Sequence, residues 1–171
     1  MDLLIIDRWV HFLSGITWIG LLYYFNFVQV PAMAAATADK DGPGPAAIGK
    51  YVAPLALLWF RWAALVTWLS GAAYLHGAAQ YSLGGAFSLG IGTNNIQLTT
   101  IGMGAWLGTF MLLNVWVLIW PNQKKVLGIV PATDEEKNKA KRVAFLASRS
   151  NTLMSIPMLL FMGSAAHGLM F

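Results

Sequence analysis

The stretch LTTIGMGAWLGTFMLLNVWVLIW, residues 98–120, decides the fold. It carries no charged side chain, and it is long enough to cross a hydrocarbon core of roughly 30 Å at about 1.5 Å per residue. Outward from it stand further blocks of the same kind, at about Trp9–Val30, Leu55–Ala79 and Val143–Met170. Composition agrees. Of 171 residues, 57% are hydrophobic and 11% charged, against about a quarter charged in a soluble domain, and the mean hydropathy is +0.60. Because the apolar residues run in blocks, lipid is their natural solvent. The sequence predicts an all-α integral membrane protein, a four-helix bundle forming a single domain over residues 1–171 with no internal repeat.

The segments between the blocks set the orientation. The first and third, Pro31–Pro54 and Pro121–Arg142, hold Lys40, Lys50, Lys124, Lys125, Lys137, Lys139, Lys141 and Arg142. The second, Gln80–Gln97, is uncharged, and only Arg8 lies near the N-terminus on that side. Lysine and arginine collect on the cytoplasmic face, so both termini and the second loop are expected outside, in the periplasm of a bacterial inner membrane. The net charge of +4 is read as this bias and not as a nucleic-acid surface. Thr133-Asp134-Glu135-Glu136 reads as a capping box that starts the fourth helix before the membrane. The N-terminal block lacks a basic n-region and is longer than a typical signal-peptide h-region, so it is expected to remain uncleaved.

The chain has no cysteine, which excludes disulfides, thiolate metal sites and covalently attached c-type haem. Walker loops, dinucleotide glycine patterns, nucleophile elbows and His-Glu-x-x-His are absent from the sequence as well. Its three histidines are the chemical candidates: His11, His76 and His167, one each on the first, second and fourth blocks. Antiparallel threading is expected to bring them to similar depth near the outer face, where an ionisable group in a span points to function. One turn deeper than each lie small residues: Ser14 and Gly15, Ala72 and Ala73, Gly163 and Ser164. Small grooves beside imidazoles suit a flat macrocycle. Haem b, one or two copies, needs only axial ligands and an apolar slot. Arg8 would meet its propionates.

In a simple up-down bundle the second and fourth helices are diagonal, so His76 and His167 form the first ligand pair. His11 would then bond a propionate or, with Met103, hold a second haem. In a less regular bundle His11 pairs with His76 or His167. Against this stand a three-histidine copper or zinc site and the plain reading, in which small residues serve close helix packing.

Other features divide the same way. Arg61, Arg149, Asn26, Asn114 and Asn151 form a polar set at the opposite end, read as a hydrogen-bonded helix clamp in preference to an anion site. Pro157 is expected to kink the fourth helix. Gly104-x-x-x-Gly108 is a contact motif that would support a homo-oligomer.

The stretches HFLSGITWIGLLYYFNF (11–27), NVWVLIWPNQK (114–124) and SRSNTLMSIPM (148–158), with the closing His167, resemble the membrane domain of bacterial cytochrome-c-linked urate oxidases. The opening His-x-x-x-Gly-x-x-Trp-x-Gly pattern also resembles CopD-type copper-resistance proteins and HemJ-type protoporphyrinogen oxidases. The resemblance implies an inner-membrane redox protein, with His11, His76 and His167 matching intramembrane histidines. The expected function is a membrane b-type cytochrome with cofactor residues His11, His76, His167, Arg8, Gly15 and Gly163. It would transfer electrons, with a periplasmic cytochrome c or other carrier as partner, or bind a small gas. Two alternatives are an oxidoreductase of urate or a similar small molecule using an external cytochrome c, and a non-redox transporter or assembly subunit.

Overall fold

The computed structural model describes residues 3–167. Among them run α1 (Leu3–Ala38), α2 (Ile48–Gly77), the short α3 (Leu83–Phe87), α4 (Ile96–Val126) and α5 (Asp134–His167). The helix expected at 143–170 thus begins earlier, and residues 168–170 lie outside the described residues. Its start follows the capping box. The Thr133 N–H donates to Glu136 Oε2 (2.8 Å), and the Glu136 N–H donates to Thr133 Oγ1 (3.2 Å).

Proline does not end α1 or α4 where a sequence reading places the loops. Helix continues through Pro31 to Ala38 and through Pro121 to Val126, and α2 starts ahead of Pro54. The reason is local. π-helical turns occupy Tyr24–Gln29, Ile48–Val52 and Asn114–Ile119. At their ends the N–H groups of Val30, Ala53 and Trp120 reach back five residues, to the carbonyls of Phe25, Ile48 and Val115. The next residue is proline each time. In α geometry a proline ring collides with the carbonyl four residues back; the wider turn moves that carbonyl aside. Pro157 instead sits inside the uninterrupted α5.

Helices α1, α2 and α4 are long and apolar enough to cross a membrane. Helix α5 is of comparable length but less apolar, because Ser148, Asn151, Thr152 and Ser155 interrupt it. Burial is inverted relative to a water-soluble bundle. Leu13, Ile16, Trp59, Leu69, Val117, Leu153 and Ile156 are exposed, while Ala63, Ala64, Ala144, Asn26, Asn151 and Ser155 are buried. A soluble monomer does not present so continuous an apolar surface.

Packing is organised as two hairpins, α1 with α2 and α4 with α5, which meet over a shared core of Trp18, Leu22, Phe60, Met111, Val115 and Met158. The hairpins are also related in sequence, contrary to the expectation of no repeat. Trp18-Ile19-Gly20 with Asn26 matches Trp106-Leu107-Gly108 with Asn114, and Arg61 matches Arg149, each pair 88 residues apart. Ala72-Ala73 before His76 likewise corresponds to Ala165-Ala166 before His167. Three residues of slippage between the arginine and the histidine (Arg61 to His76 against Arg149 to His167) and the different π-turn placements hide the relation from a simple scan. Gly104 of the contact motif packs within the chain: a Cβ there would stand 3.1 Å from Met162 Cγ of α5, whereas one at Gly108 would meet nothing within 4 Å. Gly104 makes room for a neighbouring helix of the same chain.

Candidate functional site

At the histidine end of the bundle, α1 and α2 approach closely because small residues face each other. Ser14 and Gly15 of α1 lie against Thr67 of α2. The Thr67 hydroxyl donates to Ser14 Oγ (3.0 Å), and a Cβ at Gly15 would meet Thr67 Cγ2 at 3.7 Å. The groove expected beside His11 is therefore filled by the partner helix. Close packing is what these two small residues serve.

That contact fixes His11. Its ring is half-buried, and Nδ1 lies 2.8 Å from the Thr67 carbonyl oxygen. A carbonyl only accepts, so Nδ1 carries the proton, and in the neutral ring Nε2 keeps its lone pair. Beneath the ring is Gly71, where any Cβ would stand 2.9 Å from both Cε1 and Nδ1. Ser70 donates to the same Thr67 carbonyl at 3.2 Å. A backbone acceptor on one nitrogen that leaves the other free to bind is the usual second-sphere support of a metal-bound imidazole.

The other histidines are placed differently. His76 is exposed near the end of α2, five residues and so about 7.5 Å of helix beyond Gly71. Leu4, at the start of α1, packs on the adjacent Gly77. His11 and His76 thus occupy two levels rather than one. His167, also exposed, ends the described part of α5. Among the described residues, no group of three His, Cys, Asp or Glu side chains gathers as a metal site. Arg8 is exposed one turn outward of His11, Met103 is exposed on α4, and Gly163 is exposed with nothing within 4 Å of an added Cβ.

Toward the lysine end, the polar set resolves into clamps. The amide of Asn114 donates to Asn151 Oδ1 (2.9 Å), and the amide of Asn151 donates to the Met111 carbonyl (2.9 Å), tying α4 to α5. Asn26 donates to Ser148 Oγ (2.8 Å), and the hydroxyls of Tyr23 and Ser155 bond at 2.9 Å, tying α1 to α5. The arginines stand apart from these bonds. The Arg61 guanidinium stacks 3.8 Å from the Trp120 ring, and Arg149 faces outward over Phe145.

Sequence reading passed over Thr67 and Gly71, the residues that orient His11. The available signal was a Thr-x-x-x-Gly step on α2 facing a Ser-Gly pair on α1, which gains meaning only once the helix register is known.

Residues 95–171 match the family model described as urate oxidase N-terminal. That region comprises α4 and α5 with His167, and leaves out the hairpin that carries His11 and His76. No curated protein and no solved structure matches the chain.

Proposed function

We propose that the chain is a four-span membrane protein that binds haem b near its histidine end through His11, as a b-type cytochrome for electron transfer or small-gas binding. The observation that carries this reading is the oriented imidazole: a proton pinned on Nδ1 by the Thr67 carbonyl and a glycine beneath the ring, which leave Nε2 of the neutral ring as the nitrogen able to bind a metal. Bound haem b would supply a one-electron iron couple or an open iron position. His11 would hold the group through Nε2, and the exposed His76 and His167 are the other imidazoles that could hold it. Arg8, one turn outward and exposed, carries the guanidinium to pair with propionates. Gly71 and Thr67 keep the imidazole in one tautomer.

The fourth crossing rests on the outward face of α5, where Phe145, Leu146, Leu153, Ile156, Leu159 and Leu160 are all exposed. On this reading the histidine end, opposite the lysine-bearing loops, faces the outside of a bacterial inner membrane, within reach of a periplasmic cytochrome c or similar carrier. Protein purified from haem-supplemented cells should show a Soret band, with alpha and beta bands on adding dithionite. His11→Ala should abolish the six-coordinate spectrum. A colourless wild type, or a His11→Ala spectrum identical to it, overturns the proposal; the colourless result returns the protein to the transporter or assembly class.

The match over residues 95–171 favours a second reading, oxidation of urate or a similar small molecule with electrons leaving to an external cytochrome c. Reduction of the purified protein by urate separates this enzyme from a plain carrier.

A further inference from the structure

The opposite side of the first hairpin carries a separate feature. Between α1 and α2, away from His11, lies an open apolar groove of about 700 Å³. Gly20, Leu21 and Tyr24 form one wall, and Tyr51, Leu55 and Trp59 the other. Gly20 opens it: a Cβ added there would meet nothing within 4 Å. The lysine end of the groove coincides with two π-turns, Tyr24–Gln29 and Ile48–Val52. There the Lys50 ammonium stands 5.3 Å from the centroid of the Tyr51 ring that lines the groove.

The repeat supplies an internal control. The counterpart of Gly20 is Gly108, which is buried although a Cβ added there also meets nothing within 4 Å, and one turn earlier the space beside Gly104 is filled by Met162. Gly20 differs from its counterpart in being exposed, so its open side faces outward from the hairpin.

We propose that this groove seats one acyl chain of an anionic phospholipid, with its phosphate on Lys50. The inference rests on the membrane reading and is independent of haem. The groove follows α1 from Ile16 to Tyr24, about 12 Å of helix, which suits a linear chain lying along the span. Its bed is apolar, the Lys50 ammonium stands beside Tyr51 at one end, and tyrosines flank that end as they do at membrane interfaces. A headgroup phosphate complements the ammonium. A neutral isoprenoid leaves that charge without a partner, and a second copy of the chain would bring a second Lys50 to the contact.

Native mass spectrometry of the full chain in mild detergent tests this, by titration with phosphatidylglycerol and phosphatidylcholine of identical acyl chains. Wild type should retain one phosphatidylglycerol about fivefold more tightly than phosphatidylcholine, the selectivity of one basic contact with an anionic lipid. Lys50→Gln should equalise the two lipids while keeping the adduct. Gly20→Leu should remove the adduct of both lipids and leave the helical circular dichroism intact; Ala56→Leu fills the groove from the other wall and gives the same readout if the first variant misfolds. Equal affinity of wild type for both lipids overturns the proposal. So does an unchanged phosphatidylglycerol adduct in both groove-filling variants, or a dimer that those variants convert to monomer.

Discussion

Replacing Gly71 by alanine tests the geometry around His11 most directly. The new methyl carbon would stand 2.9 Å from Cε1 and Nδ1 of the ring, where ordinary contacts begin at 3.4 Å. The ring or the helix must therefore move by at least about half an ångström. A shift of that size away from α2 stretches the 2.8 Å Nδ1 bond to Thr67 toward the limit of a hydrogen bond. Three contributions decide the outcome. Overpacking costs about 1–3 kcal/mol, a lost interhelical hydrogen bond in a membrane about 0.6 kcal/mol, and the better helix propensity of alanine returns about 1 kcal/mol. The net expectation is about 1–2 kcal/mol of destabilisation, measured by reversible unfolding in mixed micelles. Nitrogen-15 NMR of labelled histidine should report the His11 Nδ1–H losing its bond. Gly77→Ala is the control, since its methyl meets only the far end of the Leu4 side chain and should have a small effect. A Gly71→Ala protein with wild-type stability and an unmoved His11 resonance would refute the cradle.

Asn151→Leu removes the buried amide that joins Asn114 to the Met111 carbonyl; at about 0.6 kcal/mol per bond it should cost about 1–2 kcal/mol in the same unfolding assay, and a neutral result would show the clamp to be incidental. Gly104→Leu drives a side chain into Met162 and should separate α4 from α5, lowering stability without changing particle mass in multi-angle light scattering. A change of mass at unchanged stability would instead return the motif to an intermolecular contact. The carboxyl of Glu136 is held below the ordinary glutamate value, first by the Thr133 backbone N–H and then by Lys125. Its capping contribution is thus complete above the unfolded-state value and fades as pH falls through the folded one. Hydrogen exchange at the Thr133 amide should quicken as pH falls through that range, after correction for the intrinsic rate, and Glu136→Gln should remove the dependence.

Much of this molecule was legible in the chain. The solvent of the fold follows from uncharged runs such as residues 98–120, because hydropathy adds along a sequence without reference to neighbours. The start of α5 was legible for a similar reason: the bonds between Thr133 and Glu136 close within one turn. The prolines were misread because π-turns ahead of Pro31, Pro54 and Pro121 offer the backbone another way to satisfy itself, and no residue type announces them. The repeat was in the sequence throughout, concealed by slipped spacing near His76 and by the prolines' different offsets from Asn26 and Asn114.

Tertiary structure alone decided which polar and small residues face one another. Ser14 on α1 and Thr67 on α2 could have packed on any neighbour, and Gly71 gains its purpose only because the ring of His11 arrives above it. The same register carries His76 beyond that level and turns Gly104 toward Met162 while leaving Gly20 open. Facing depends on the crossing of two helices and on their relative slide. Both are set by the sum of contacts along the whole interface, which no window of a single strand of sequence contains.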